Sequence, residues 1–221
     1  MEARRGGDTL ALTLVAKGAE ADIFLDPDWN GRKAILKRRG VKKYRHPEID
    51  REIRRYRTLH EADMIHRSKE AGVSTPLIYQ LDPKGATIVM EYIEGVKIKD
   101  AVPRLTLEEN RALFRLIGED AGRLHCAALI HGDLTTSNMI KVGHRVFFID
   151  FGLGEVSKEV EKRGVDFNLM VRMLASTHYT IMEPLLESFK EGYRNTMGSE
   201  AEEVFQRADE IKRRGRYIDK E

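Results

Sequence analysis

Two short segments of this 221-residue chain combine residue types that could transfer a phosphoryl group. The first, from His131 to Asn138, has the form H-x-D-x-x-x-x-N, and a D-F-G segment begins twelve residues later at Asp150. Phosphoryl transfer needs a group beside the attacking hydroxyl and oxygen ligands that hold Mg²⁺ on the nucleotide phosphates. In this paired pattern the first Asp lies at the attacking oxygen, while the Asn and the second Asp hold metal. We therefore predict that Asp133 is catalytic and that Asn138 and Asp150 are metal ligands.

A strand lysine that binds the α- and β-phosphates is the next part that this chemistry requires. Lys37 ends the apolar run that begins at Ala34, which predicts its position on a strand. Its partner should be a carboxylate on the following helix, and Glu48, Glu52 and Glu61 all qualify. Spacing alone leaves this choice open; we choose Glu61, which lies 24 residues after Lys37.

The loop that covers the phosphates is expected between the first two strands, at Lys17, Gly18, Ala19 and Glu20. It has one glycine, so the G-x-G-x-x-G signature is absent. Gly18 still permits an unusual backbone angle that lets N–H groups face phosphates. Glu20 is unexplained, because a carboxylate near a triphosphate is unfavourable unless it faces a metal or a cation.

The hydrophobic pattern divides the chain into a β-rich part and a helical part. Strands are predicted at residues 10–16, 21–25, 33–37, 77–81 and 86–93, with one long helix from Pro47 to about residue 71. A hinge follows near residues 91–95, and its backbone groups near Glu91 and Ile93 are expected to pair with an adenine edge. A capping box at Thr106 then opens a helix to about residue 129. A hairpin over residues 139–149 and three helices, near 158–175, 180–196 and 199–214, complete the chain.

These elements predict an α+β, two-lobed protein-kinase-like fold. Residues 1–94 would form a small β-rich N-lobe with one long helix, and residues 95–221 a reduced, mainly helical C-lobe. The two lobes together would make one kinase-like domain.

Composition narrows the class of protein. Hydrophobic residues make up 41% of the chain, and no apolar run approaches the roughly 20 residues that span a bilayer. The single cysteine, Cys126, cannot form an internal disulfide, and its neighbours predict a buried helix position. We therefore expect a cytoplasmic protein.

The net charge is only +2, but cations cluster at residues 32–45 and 212–216, as on surfaces that meet phosphate-rich partners. A solvated surface explains the first cluster equally well.

With these motifs, the chain resembles the small atypical kinase subunit of the KEOPS (EKC) complex, the PRPK-like family, over residues 15–217. The family's helix carboxylate falls on Glu61, and the lack of an N-terminal extension suggests an archaeal member. Tyr179 and the segment Lys162–Gly164 depart from the family pattern near the expected partner face. The distinctive segments are Lys17–Ala21, Lys43–Pro47, Arg57–Ala62, Ile130–Met139, Ile149–Leu153, Val165–Asp166, Ser176–His178 and Arg214–Arg216.

The resemblance implies an enzyme that uses ATP and Mg²⁺, a Ser/Thr protein kinase or ATPase that supports threonylcarbamoyladenosine formation on tRNA. It also implies two partners, the KEOPS metalloprotein catalytic subunit and a further small subunit. The basic tail is expected to contact tRNA through the complex; its cations are Lys212, Arg213, Arg214 and Arg216. Water and a protein hydroxyl both fit as acceptor. The alternatives are a RIO-type kinase, a small-molecule kinase of the aminoglycoside or choline type, and a pseudokinase scaffold.

Overall fold

The computed structural model describes residues 12–218 and the side chains of residues 12–214. The chain divides into two compact units. The first contains the described residues up to Ala62 together with Leu77–Tyr92, and the second contains Asp63–Pro76 and the chain from Ile93 onward. Neither unit is one continuous stretch of sequence.

The first unit is built on a five-stranded antiparallel sheet in the order β1-β2-β3-β5-β4. Its elements are β1 (Thr13–Lys17), β2 (Asp22–Asp26), β3 (Ala34–Arg38), α1 (Pro47–Glu70, whose later residues lie in the second unit), β4 (Ile78–Asp82) and β5 (Thr87–Glu91). All five predicted strands and the long helix are confirmed. The predicted beginning of the first strand, at Leu10, lies outside the described residues.

Strand β3 is buried on both faces. Ala34 and Leu36 pack with Val89 in one apolar cluster, while Ile35 packs in a second cluster that includes Ala62 of α1. Side chains two apart on a strand share a face. Lys37 therefore follows Ile35 on the face that is turned to α1.

The second unit is mainly helical. Three-stranded and two-stranded sheets join β6-β8-β9 and β7-β10, and 3₁₀ turns cover Val102–Arg104, Thr136–Asn138 and Tyr179–Ile181. The predicted hairpin and the four long helices are confirmed, whereas the short elements were not predicted. The elements are β6 (Val96–Lys97), α2 (Ile98–Ala101), α3 (Leu107–Cys126), β7 (Leu129–Ile130), β8 (Met139–Val142), β9 (Arg145–Phe148), β10 (Glu155–Val156), α4 (Val160–Thr177), α5 (Met182–Met197) and α6 (Glu200–Ile218).

Helix α3 begins at the capping box that the sequence predicts. The Thr106 hydroxyl accepts a hydrogen bond from the Glu109 backbone N–H at 3.2 Å, and the Thr106 N–H donates to the Glu109 carboxylate at 2.8 Å. These two bonds satisfy two groups that the first helical turn would otherwise leave unpaired.

Cys126 corrects an expectation. It is the last residue of α3 and is exposed, not buried in the core. Its thiol lies 3.7 Å from the Thr196 carbonyl oxygen and 3.2 Å from the Met197 sulfur. The helix ends at this residue, and Ala127 after it is exposed as well, so the apolar neighbours along the chain do not bury the thiol. None of the helices in residues 12–218 is long and apolar enough to cross a membrane.

Helices α3 and α5 approach so closely that their backbones are in contact. A Cβ atom built on Gly192 of α5 would overlap the Arg115 carbonyl of α3, and one on Gly118 would overlap the Phe189 carbonyl. Backbone atoms cannot move aside as a flexible side chain can. The glycines are therefore required for this packing.

We expect Gly192→Ala to destabilise the protein by about 1–3 kcal/mol, the usual cost of overpacking a core. Helix propensity alone favours alanine over glycine by about 1 kcal/mol. A net loss of stability would therefore be due to the overlap with the Arg115 backbone. Urea unfolding measures the change. Gly40→Ala is the control, because nothing lies within 4 Å of the added Cβ. Equal stability of the two variants would contradict the prediction.

Candidate active site

The loop that carries Asp133 is anchored by hydrogen bonds to a buried carboxylate. Asp166 of α4 accepts hydrogen bonds from the backbone N–H groups of His131, at 2.8 Å, and Gly132, at 2.9 Å. Burial alone would raise the pKa of Asp166, but its hydrogen bond with His125 and the backbone donors hold that pKa below the ordinary value. The carboxylate is therefore ionised where it anchors the loop.

Hydrogen bonds continue from Asp166 through His125 to Tyr193. His125 Nε2 lies 3.2 Å from Asp166 Oδ2, and His125 Nδ1 lies 2.6 Å from the Tyr193 hydroxyl. All three side chains are buried. The loop is thus connected through Asp166 to the α3–α5 core, and the sequence motifs contain no sign of this connection.

His131 and Gly132 shape the loop. The His131 ring packs 4.6 Å from that of Phe151, and its Nδ1 accepts from the Asp133 N–H at 3.3 Å. Burial lowers the pKa of His131, which favours the neutral ring. Gly132 has a φ of +79°, and a Cβ there would overlap the Leu153 carbonyl. Glycine is therefore required where many protein kinases carry arginine.

Asp133 and Asn138 are in direct contact. Asn138 Nδ2 donates to Asp133 Oδ2 at 2.7 Å and to the Asp133 carbonyl at 3.1 Å. The Asn138 carbonyl in turn accepts from the Ile149 N–H at 2.9 Å, which brings the D-F-G segment beside the same loop. The structure therefore brings together the three residues for which the motifs predict roles at the attacking oxygen and the metal.

Asp150 has the backbone of a strained residue, with a φ of +63°. Non-glycine residues in this region carry about 1–2 kcal/mol of strain, and such strain clusters at functional sites. In residues 12–218 no group of three His, Cys, Asp or Glu side chains could hold a metal by itself. Mg²⁺ on a nucleotide does not need one, because it takes one or two carboxylates, phosphate oxygens and waters. With its Nδ2 turned to Asp133, Asn138 keeps its amide oxygen for metal, so Asn138 and Asp150 fit this ion.

Lys37 and Glu61 form a buried ion pair in the first unit, with Lys37 Nζ 2.6 Å from Glu61 Oε1. Arg39 occupies the other oxygen, with its Nη2 2.5 Å from Glu61 Oε2. The side chains of Lys37, Arg39 and Glu61 are 8%, 2% and 1% exposed. Two buried cations therefore share one carboxylate, each on its own oxygen. Of the three glutamates considered from sequence, the one in contact with Lys37 is Glu61.

Arg39 was not among the residues singled out from sequence. It follows Lys37 by two positions at the end of β3, so the strand period places both side chains on one face. That period was the available signal. Arg39 is fixed by the Ala86 carbonyl, which accepts from its N–H at 3.0 Å, and by Thr58 Oγ1, 3.4 Å from Nη1.

We expect Arg39→Met to weaken Mg·ATP binding roughly tenfold, because it would weaken the proposed charge-assisted hydrogen bond of about 1.5–3 kcal/mol between Lys37 and a phosphate. Without Arg39, Glu61 neutralises Lys37 more completely and leaves it less charge for a phosphate. The measurement is an ATP titration, with thermal unfolding to check the fold. Arg38→Met is the control, since Arg38 is an exposed neighbour that lies over the Phe24 ring. The prediction is wrong if both variants bind ATP equally.

The loop from Lys17 to Glu20 is fastened to the segments that follow β3. Gly18 N–H donates to the Ala21 carbonyl at 3.0 Å. Lys42 Nζ donates to the Ala19 carbonyl at 2.6 Å, and Glu20 forms an ion pair with Arg57 of α1. Glu20 therefore faces a cation, which removes the electrostatic objection to a carboxylate in this loop.

The two residues predicted at the adenine edge are the end of β5 and the second residue after it. The Glu91 N–H donates to the Leu77 carbonyl at 2.8 Å, so this donor is already engaged. Ile93 is buried. The Glu91 carbonyl and the Ile93 backbone remain the groups predicted to contact the adenine edge.

Comparison with known proteins assigns the family. A family model described as the RIO domain matches residues 30–162. KEOPS complex subunit Bud32 of Pyrococcus abyssi is 42% identical over 213 residues, covering 93% of this chain and 96% of that protein. This chain belongs to the Bud32 family of RIO-domain proteins. The resemblance to the small kinase subunit of the KEOPS complex, stated from the sequence, is confirmed.

Two further comparisons place this Bud32-family chain among longer proteins. A probable bifunctional tRNA threonylcarbamoyladenosine biosynthesis protein of Methanothermobacter thermautotrophicus is 43% identical over 219 residues, covering 99% of this chain but 39% of that protein. A solved structure, the Rio2 kinase–ADP/Mg²⁺–phosphoaspartate complex from Chaetomium thermophilum, is similar with a TM-score of 0.63, at 14% identity, over 96% of this chain and 73% of the other. The predicted α+β, protein-kinase-like fold is confirmed.

Proposed function

We propose that this chain is a Mg²⁺- and ATP-dependent atypical Ser/Thr protein kinase or ATPase that acts as the KEOPS subunit in threonylcarbamoyladenosine formation on tRNA. One observation carries the proposal. The Asp133–Asn138 contact and the buried Lys37–Glu61 pair are both present in a chain that is 42% identical to a KEOPS subunit along almost its whole length.

Each site residue has a proposed role. Asp133 orients the attacking hydroxyl and accepts its proton, and Asn138 holds Asp133 in place while its amide oxygen faces Mg²⁺. Asp150 supplies the carboxylate ligand. When bound, Mg²⁺ offsets the charge of the phosphates. Lys37 contacts the α- and β-phosphates, and Glu61 orients it.

The nucleotide is proposed to contact two further groups of residues. Backbone groups of Lys17, Gly18, Ala19 and Glu20 cover the phosphates. The backbones of Glu91 and Ile93 pair with the adenine edge.

The experiment is an ATPase and phosphotransfer assay with and without Mg²⁺, tRNA and the KEOPS metalloprotein subunit. Radiolabel from the γ-phosphate on protein identifies a hydroxyl acceptor, and release as inorganic phosphate identifies water. We expect Mg²⁺-dependent turnover in at least one of these combinations. Absence of Mg²⁺-dependent nucleotide binding in all of them would favour the pseudokinase scaffold.

The proposed partners are the KEOPS metalloprotein catalytic subunit, a further small KEOPS subunit and, through them, tRNA in the cytoplasm. The two relatives, a KEOPS complex subunit and a probable tRNA threonylcarbamoyladenosine biosynthesis protein, support the complex and the tRNA pathway. The basic tail is the proposed contact with tRNA. Lys212 and Arg213 are exposed on α6, Arg214 contacts Glu161 at 3.2 Å, and the Arg216 side chain lies outside the described residues.

Lys212→Gln combined with Arg213→Gln should weaken tRNA binding by the assembled complex and flatten its dependence on salt. Each phosphate contact that is lost reduces the number of counterions released when tRNA binds. This pair keeps the Arg214–Glu161 contact, which a deletion of the tail would remove. Lys84→Gln with Lys99→Gln removes the same charge from other exposed positions and is the control. Identical salt dependence for both pairs would reject the tail as a tRNA contact.

A further inference from the structure

A cavity of about 190 Å³ lies in the first unit, between the loop that follows β1, the segment that follows β3, and α1. One water molecule needs only about 15 Å³ of such space, so the cavity has room for a larger group. Ala19 and Glu20 of the proposed phosphate-covering loop form part of its wall, whereas Lys37, Asn138 and Asp150 do not line it. Its walls are Ala19, Glu20, Arg39, Gly40, Lys42, Tyr44, Arg45, Ile53, Arg54 and Arg57.

The charge around the cavity is strongly unbalanced. Five of its lining side chains are cationic and only one, Glu20, is acidic. Glu20 is paired with Arg57. Buried Asp50 lies outside the lining and is shared by Arg54, at 2.7 Å, and Arg45, at 3.6 Å. Arg39, the fifth lining cation besides Lys42, Arg45, Arg54 and Arg57, is paired with Glu61, which lies outside the lining.

One donor in the wall has no partner. Arg39 Nε is buried and makes no hydrogen bond among the described residues. A buried donor without a partner costs about 1–3 kcal/mol, and more when the group is charged. An anion in the cavity would offset the excess positive charge around it.

We propose that this cavity binds a phosphate group. Arginine recognises phosphate through paired N–H donors, and four of the five cations here are arginines. The geometry of the surroundings points to RNA as the carrier. Tyr44 at the rim is 78% exposed and offers a ring on which a base can stack. The choice of RNA rests on the proposed function, whereas the phosphate chemistry does not.

The test compares two pairs of substitutions with equal loss of charge. Lys42→Gln with Arg45→Gln removes two cations from the cavity, and Lys43→Gln with Arg51→Gln removes two from exposed positions outside its lining. Arg39 and Arg54 are left in place, because they make the short contacts with buried Glu61, at 2.5 Å, and Asp50, at 2.7 Å. Arg45 lies 3.6 Å from Asp50, which keeps Arg54 when Arg45 is replaced. Thermal unfolding checks both proteins, and Arg45→Gln alone replaces the first pair if that pair fails to fold.

Binding is measured with a tRNA transcript by fluorescence anisotropy and with inorganic phosphate by calorimetry. A nonhydrolysable ATP analogue and Mg²⁺ are present at saturation, so that neither probe reports on the nucleotide site. We expect the cavity pair to bind RNA about tenfold or more weakly than the wild type, as for loss of charge-assisted hydrogen bonds. The outer pair should lose about threefold or less, the effect of general charge alone.

Each outcome decides the proposal. Equal losses in the two pairs, or no binding of either probe to the wild type, would overturn it. If inorganic phosphate distinguishes the pairs and RNA does not, the site holds and its ligand is a free phosphate. The two pairs are also compared without nucleotide after Asp150→Asn has been added to both. Their difference in affinity for RNA and phosphate should persist. A failure of the nucleotide chemistry is thereby distinguished from a failure of the cavity.

Discussion

Asp133→Ala should lower ATP turnover by about 10²-fold or more while leaving ATP affinity close to that of the wild type. Asp133 is proposed to act on the attacking hydroxyl, so its loss affects the reacting state more than the bound nucleotide. The hydrogen bond of 2.7 Å from Asn138 fixes the direction of its carboxylate. Steady-state turnover and an equilibrium ATP titration, performed on the same preparation, measure the two effects separately.

Two controls accompany this variant. Asp209→Ala removes an exposed carboxylate from α6 and should leave both quantities unchanged. Asn138→Ala removes the side chain that orients Asp133 and a proposed metal ligand together, so both turnover and nucleotide affinity should fall. Asp133 is not the catalytic residue if Asp133→Ala turns over ATP at a rate near that of the wild type.

Asp150→Asn should abolish the dependence of nucleotide binding on Mg²⁺ and reduce turnover to the background of the assay. The substitution removes the anionic ligand while keeping the size of the side chain. Asparagine also tolerates the φ of +63° observed at this position, whereas alanine would add strain of about 1–2 kcal/mol. The loss can therefore be assigned to the carboxylate.

The measurement is an ATP titration at several Mg²⁺ concentrations. The wild type should bind more tightly as Mg²⁺ rises, and Asp150→Asn should give one affinity throughout. Thermal unfolding should show a folded protein, because the side chain is replaced by one of the same shape. An unchanged Mg²⁺ dependence would show that other groups hold the metal.

Local patterns in the sequence determined most of the fold. Period-two and helical spacing, capping residues and turn residues act over a few positions, so they predicted five strands, α1, the hairpin and the long C-terminal helices. Short elements such as β6, β7 and β10 were missed, since two residues are too few to carry a period. The residues of the H-x-D-x-x-x-x-N and D-F-G motifs were also identified from sequence, because the spacing within each short segment is fixed by the chemistry it performs.

The choice among Glu48, Glu52 and Glu61 shows where local pattern ends. Spacing left all three open, and the resemblance supported Glu61. In the structure, Lys37 lies on the face of β3 that is turned to α1, and Glu61 is the one in contact with it. That contact depends on how the helix lies on the sheet, which no short-range signal records.

Tertiary structure alone decided which charges neutralise one another. It placed Arg39 on the second oxygen of Glu61, Arg57 against Glu20, and His125 with Tyr193 behind Asp166. It also exposed Cys126, despite its apolar neighbours, and brought α3 and α5 to backbone contact at Gly192. These contacts join residues 22 to 77 positions apart or depend on where a helix stops. The energy of an ion pair depends on distance and burial in space, whereas a sequence motif records only separation along the chain.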